Sequence, residues 1–298
     1  MPLPDLHRHL DGSLRPATLA ELAATRGLAV PDDLLFAPGM GLSEALSRFA
    51  FVLSLLQEPE TVARVAAEIC ADAAAEGVTC LEIRFAPQLH GGASMARIVD
   101  AALAGISGRA GLILCGLYGE PPGLLDQLVD LAAARPGVVG IDLAGGPVPE
   151  HRYGLRDYAP AFGRAARLEI GRTVHAGEGR PCAEIREAIE ILQAQRIGHA
   201  TTLLDDPRVV ELVRSRGVTV EACPTSNWHT GVIPAVSAHP LARWLDAGVH
   251  VTVSPDNTLL SAVTARQEYQ RALTFPGMNE ARVRVLAAHG FAAAFGRI

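Results

Sequence analysis

The chain is 298 residues long, carries a formal charge of −6 and is 49% hydrophobic and 19% charged, which fits one large α/β barrel or two ordinary domains and excludes a disordered chain. The negative balance argues against nucleic acid as a partner, because phosphate binding calls for a basic face. All 26 basic residues are arginine, which excludes Schiff-base and pyridoxal chemistry, P-loop nucleotide binding and metal pairs bridged by a carboxylated lysine.

Apolar, β-rich runs alternate with helix-like stretches along the whole chain. The first run, Leu3–His9, ends in His-Arg-His. The connection that follows, from Asp11 to Glu76, is too long for one crossover helix. Pro59–Glu76 reads as a helix, and the rest is expected to pack over the C-terminal mouth of the first strand. Strands are then expected at Val78–Pro87, Gly111–Tyr118, Val138–Leu143, Ile170–His175, Arg196–His199, Val218–Cys223 and Val249–Ser254. Helical spacing or capping residues mark Leu124–Ala134, Ala183–Gln193, Pro207–Arg216 and Pro240–Ala247 between them. Gly77, Gly137, Gly217 and Gly248 stand just before strands, where a helix ends and an αβ turn begins. Eight strand–helix units imply a parallel sheet covered by helices. Their number and spacing fit a TIM (β/α)8 barrel occupying residues 1–298 as one domain, with a doubly wound sheet as the alternative. No Pro/Gly/Ser linker marks a second domain.

A barrel enzyme carries its chemistry at the C-terminal ends of its strands. Strand one ends in His7-Arg8-His9, followed by Asp11-Gly12; strand five runs into His175-Ala176-Gly177-Glu178; strand six ends in Gly198-His199; strand eight leads to Ser254-Pro255-Asp256-Asn257. A closed barrel brings these distant positions around one axis. His7 and His9, two apart on a strand, point the same way, with Arg8 pointing outward between them. His175 adds a third nitrogen and Asp256 a carboxylate, a donor set that suits Zn²⁺ with a position left for water. Fe²⁺ or Mn²⁺ fits the same donors. Glu178, across a Gly turn from His175, reaches the substrate side, where a desolvated carboxyl can donate a proton; the plainer reading is a helix N-terminal Glu. His199 is a base or hydroxide partner, or else a structural histidine.

The five cysteines include no Cys-x-x-Cys pair and read as buried thiols of a reducing compartment. Cys223 is expected to be core or pocket wall rather than a nucleophile. The N-terminal Met-Pro-Leu-Pro-Asp lacks the shape of a secretion signal, and no apolar run reaches the roughly 20 residues of a membrane span. A cytoplasmic protein with no membrane partner is expected. The motifs of cytidine-deaminase zinc sites, zincins, serine hydrolases and dinucleotide folds are absent.

Leu6–Ser13, Glu82–Pro87, Asp142–Gly145, His175–Glu178, Arg196–His199, Cys223–Asn227 and the Asp256-Asn257 pair together resemble the adenosine deaminase family in order and spacing, over nearly the whole chain. The resemblance implies zinc held by His7, His9, His175 and Asp256, activating a water for attack at C6 of a purine. It further implies that Glu178 protonates ring N1 and that His199 with Asp256 orients and deprotonates the water. Asp11 would bind the ribose, a backbone N–H near Gly145 would meet purine N3, and Asn257 would face N7. Many members carry Asp where Asn257 stands; an asparagine NH₂ donates to N7 directly, so the reader survives the exchange. Ala200 stands where Gly is usual, and Ser254-Pro255 where a more polar pair is usual. The lid after Asp11 and the C-terminal end are shorter than in typical members. The expected partners are a small aminopurine nucleoside and water, and the sequence leaves the oligomeric state open. Adenosine or deoxyadenosine is the expected substrate; aminofutalosine, another modified adenosine and free adenine remain as alternatives. So do a different hydrolysis on the same scaffold and a non-catalytic barrel.

Overall fold

The computed structural model describes residues 1–296. Eight parallel strands form one sheet in sequence order: β1 (Leu3–His9), β2 (Val78–Phe85), β3 (Gly111–Leu117), β4 (Val138–Ala144), β5 (Gly171–Ala176), β6 (Arg196–His199), β7 (Thr219–Ala222) and β8 (His250–Val253). The sheet closes between β8 and β1 through one bridge: Asp256 donates its N–H to the His7 carbonyl at 3.0 Å, and His9 donates to the Asp256 carbonyl at 2.8 Å. The expected TIM barrel is therefore observed. Strand ends differ by a residue or two, as at β2, where Pro87 has no N–H to extend the ladder and opens a 3-10 turn, Pro87–Leu89.

The helix Pro59–Glu76 ends as its sequence indicates, with Gly77 at φ +89° supplying the left-handed cap before β2. Helices Pro16–Thr25 and Leu42–Leu55 fill the long first connection. The second of them lies over the mouth, and Phe36 in the loop before it meets Phe49 edge-on at 6.1 Å between ring centroids. Outward-facing Leu81, Ile83 and Phe85 of β2 belong to the apolar core around the barrel.

The inner face differs from a stack of branched aliphatics. Glu82, Arg84, Asp142, Thr173, Arg196 and Glu221 are all buried. Arg84 reaches Asp142 and Glu221, each at 2.8 Å; Arg196 reaches Glu82 at 2.5 Å and Glu221 at 2.7 Å. Buried charges persist only when paired in this way, because each alone would lose several kcal/mol of hydration. The Arg196 guanidinium stacks 3.6 Å above the Phe295 ring, which plugs the N-terminal end of the barrel.

Candidate active site

A bulge in β1 aims the first two histidines. Asp5 pairs with Leu81 and Arg8 with Ile83, so three steps of β1 oppose two of β2. Arg8 turns outward to Asp5 at 2.6 Å and Glu76 at 3.0 Å. His7 and His9 turn inward, their Nε2 atoms 3.6 and 3.4 Å from Asp256 Oδ1. His175 Nε2 lies 3.3 Å from His9 Nε2. The donor atoms of His7, His9 and Asp256 all lie within 4.8 Å of one another, as do those of His7, His175 and His199. The sequence-predicted ligands thus converge on one point at the strand ends.

Nearness alone does not separate His175 from His199. Their outer nitrogens do. His7 Nδ1 sits 2.6 Å from Glu221 Oε2, and His175 Nδ1 3.1 Å from Asp142 Oδ2. A carboxylate behind a ring fixes its tautomer and raises the basicity of the free nitrogen, as metal ligands require. His199 Nδ1 instead meets the Asn227 amide at 3.0 Å. Buried His7 Nε2 has no protein partner. Burial, with the charge of Arg84 and neighbouring histidines, holds His7 and His9 well below the usual histidine range, so both rings present lone pairs. Burial also opposes protonation of His175, but the Asp142 carboxylate outweighs it and raises that ring. Asp142 itself would be raised by burial, yet His175 and Arg84 hold it well below the usual carboxylate range. Burial pushes Asp256 up to about 7 against a hydrogen bond from Ser226. Three imidazole nitrogens and the Asp256 carboxylate facing one point, with His7 Nε2 left without a protein partner, form a donor set for a divalent cation. The residues fit a metal ion of that charge.

Strain marks the same ends. His199 has φ +69°, Ala200 +50° and Asp256 +64°, a region non-glycine residues seldom enter. Glu178 is buried, lines the cavity beside these groups and accepts a hydrogen bond from Thr230 Oγ1 at 3.3 Å. Its carboxylate lies 3.8 Å from His199 Nδ1. Asn257 is buried with Oδ1 wedged against Gly12, where a Cβ would lie 1.8 Å away, and its NH₂ is left for the cavity. Gly145, at φ +77° and with open space around it, lines the same cavity. Asp11 is buried at the edge of an adjoining hollow, its Oδ1 without a partner and its carboxyl pushed up to about 7 by burial. Cys223 is fully buried, and burial raises its thiol well above the usual range, which fits a wall residue. No described helix is long and apolar enough to cross a membrane.

Sequence reasoning gave no role to Asp142, Glu221, Arg84, Asn227 or Thr230. A signal existed for three of them. Arg84 between Ile83 and Phe85, Asp142 between Ile141 and Leu143, and Glu221 between Val220 and Ala222 are charges inside largely apolar strands, tolerated only on a paired inner face. Asn227 and Thr230 come from the short helix Pro224–His229 and its end, which no periodicity announces.

The family model described as adenosine deaminase matches residues 2–297. An adenosine deaminase of Enterococcus faecalis is 33% identical over 314 residues, covering 99% of this chain and 92% of that protein. Arabidopsis ADAL, solved in complex with IMP, superimposes with a TM-score of 0.88 at 26% identity, over 99% of this chain and 92% of that one. An adenine deaminase from Arthrobacter aurescens gives 0.88 at 23% identity, over 99% and 94%, a likeness of fold. A barrel whose strand ends gather these histidines and carboxylates, matched by that model from end to end, belongs to the adenosine deaminase family and is an aminohydrolase enzyme.

Proposed function

We propose that this enzyme hydrolyses the exocyclic C6–N bond of a 6-aminopurine nucleoside, adenosine or deoxyadenosine in the first instance, releasing ammonia. The observation that carries this reading is the meeting of His9, His175, His199, Asp256 and Glu178 in one cavity that also exposes the Asn257 amide, with the His7 ring packed behind them. His7, His9, His175 and Asp256 would hold the metal; three imidazole nitrogens and one carboxylate favour Zn²⁺, with Fe²⁺ or Mn²⁺ compatible. When bound, such an ion supplies the charge that makes water nucleophilic at neutral pH.

The chain's own groups do the rest. Glu178 gives a proton to ring N1, so that C6 accepts the water oxygen. His199, anchored by Asn227, hydrogen-bonds the attacking water and with Asp256 receives its proton. The C6–N bond then breaks, the amino group leaves as ammonia with that proton, N1 keeps the one from Glu178, and the remaining O–H proton at C6 is released to reprotonate Glu178. One water is consumed and one ammonia released. Asn257 donates to N7, a backbone N–H near Gly145 faces N3, and Asp11 accepts from the sugar. The mouth under Phe49 and Phe36 excludes bulk water, which strengthens each of these contacts.

Adenosine and deoxyadenosine are set against AMP, because Arg180 packs behind Gly146 and over the Tyr118 ring beside the adjoining hollow. The test is ammonia release from adenosine, deoxyadenosine, adenine and AMP by metal-loaded enzyme. Release from none of them would overturn the reading. We further place the enzyme in the cytoplasm, an assignment that rests on the sequence alone.

A further inference from the structure

Glu221, the carboxylate behind His7, is held from two sides. Its Oε2 meets His7 Nδ1 at 2.6 Å and Arg84 at 2.8 Å. Its Oε1 accepts from the Thr173 hydroxyl at 3.1 Å and lies 2.7 Å from Arg196 Nε. Arg84 has its other anchors close to the site, at Asp142 and the Leu6 carbonyl. Arg196 has its own at the N-terminal end of the barrel, away from the site. It donates to Glu82 Oε2 at 2.5 Å and to the Ala293 carbonyl at 3.1 Å, and its plane lies 3.6 Å from the centre of the Phe295 ring. Phe295 in turn donates its N–H to Glu82 Oε1 at 2.6 Å. Glu82, Arg196 and Phe295 therefore close a ring of contacts that carries Glu221 on one corner.

The seat of the Phe295 ring is built into two strands. A Cβ at Gly171 would lie 2.2 Å from Phe295 Cγ, and one at Gly140 2.9 Å from its Cδ2. The two glycines are register partners on β4 and β5, so they clear one space. Glycine inside a strand weakens it and marks a close approach by another group, here the ring beneath Arg196. We propose that Phe295 and Arg196 are positioning residues for the metal centre, fixing from the opposite end of the barrel the Glu221 carboxylate and through it the tilt of the His7 ring. This rests on the assignment of His7 as a ligand made above. The Phe295 face holds the guanidinium plane by cation–π contact and keeps water from it. Without that face the fork turns, Glu221 Oε1 follows Nε, and Oε2 moves with it because one carboxylate plane contains both oxygens. The His7 Nδ1 contact then bends, and the Nε2 lone pair leaves the point on which His9, His175 and Asp256 converge.

The experiment compares the parent with Phe295→Leu, Phe295→Tyr and Val283→Ala in the full chain. Leucine fills the half-buried seat but offers no aromatic face, and tyrosine keeps the face. Val283 is buried on the helix Glu280–Ala293, so its loss weakens the packing of the same segment without removing the ring. Zinc affinity is read by competition with a graded chelator, ligand geometry by the visible absorption of cobalt-loaded protein, and stability by denaturant unfolding of the metal-free chain. Phe295→Leu should weaken zinc binding about tenfold, the lower end of the loss seen when the support of a ligating histidine is disturbed, and should shift the cobalt bands. Phe295→Tyr should restore both to the parent's values, and Val283→Ala should lose stability with zinc affinity and spectrum unchanged. Parental zinc affinity and cobalt spectrum in Phe295→Leu, an equal loss in Phe295→Tyr, or an equal loss in Val283→Ala would each overturn the positioning role. A parent protein that binds neither metal would instead overturn the assignment of His7 as a ligand.

Discussion

His7 Nδ1 and Glu221 Oε2 lie 2.6 Å apart, both fully buried, and the same carboxylate oxygen accepts from Arg84 at 2.8 Å. Arg84 in turn holds Asp142, whose carboxylate backs His175. One guanidinium therefore ties together the two carboxylates that orient two histidines of the cluster. Disturbing any member of the chain moves the others.

Replacing Glu221 with Gln keeps the shape but removes the charge behind His7. Metal affinity is expected to fall about 10- to 100-fold, the usual effect of losing a carboxylate behind a ligating histidine. The arginines Arg84 and Arg196 lose part of their compensation, so stability also falls, by up to about 3–5 kcal/mol. Competition with a graded chelator followed by metal analysis separates the two effects from a simple folding defect. Metal retention equal to that of the parent would refute the link.

Glu178→Gln tests a different element, since Glu178 backs no histidine from behind. The amide still accepts from Thr230, but it cannot deliver a proton to N1. Turnover should drop at least ~10²-fold with metal content unchanged. Near-parental turnover in the metal-replete variant would remove Glu178 from the proton path.

The alternation of strands and helices, and the ends at which polar residues gather, are legible in the sequence because both are local signals. His7-Arg8-His9 and Asp256-Asn257 fall at the ends of recognisable strands, so the barrel's closure could be foreseen to unite them. What lies behind them is not local. Glu221 meets His7 across 214 residues and Arg84 across 137, and only the register of a closed barrel relates such positions. The same limit hid Phe49 and Leu46. That the connection carrying them covers the mouth follows from its length, but which side chains of Leu42–Leu55 face the cavity depends on tertiary packing.

His239 makes a pH prediction away from the catalytic cluster. It is buried against Trp244, with ring centroids 4.9 Å apart, and neither ring nitrogen has a protein partner. Burial, aided by the neighbouring charge of His199, pulls it down to about 3. Between that value and the ordinary histidine value of about 6.5, the unfolded chain binds a proton that the folded chain refuses. Its contribution to stability is therefore present above about 6.5 and is lost as pH falls through the acid range. His239→Phe removes this term. By denaturant unfolding of metal-loaded protein, the parent should lose about 2 kcal/mol more than the variant between pH 7 and pH 5. Parallel pH profiles for the two proteins would contradict the assignment.

Gly12 supports Asn257 by having no side chain. A Cβ at position 12 would fall 1.8 Å from Asn257 Oδ1 and 2.9 Å from its Cβ, distances that force the asparagine to move. If Asn257 reads purine N7, Gly12→Ala should raise KM at least about tenfold, the loss expected when a directed hydrogen bond to substrate goes unmade. Asn257→Ala should do the same by removing the donor outright. The two changes act through one contact, so their effects should not add: the Gly12→Ala/Asn257→Ala double variant should bind adenosine about as well as Asn257→Ala alone. Steady-state kinetics of the three variants and the parent complete the cycle. Full additivity would mean that Gly12 acts on something other than Asn257, such as the backbone of Leu259, whose N–H it accepts at 3.0 Å. An unchanged KM in Asn257→Ala would place the recognition of N7 elsewhere in the cavity.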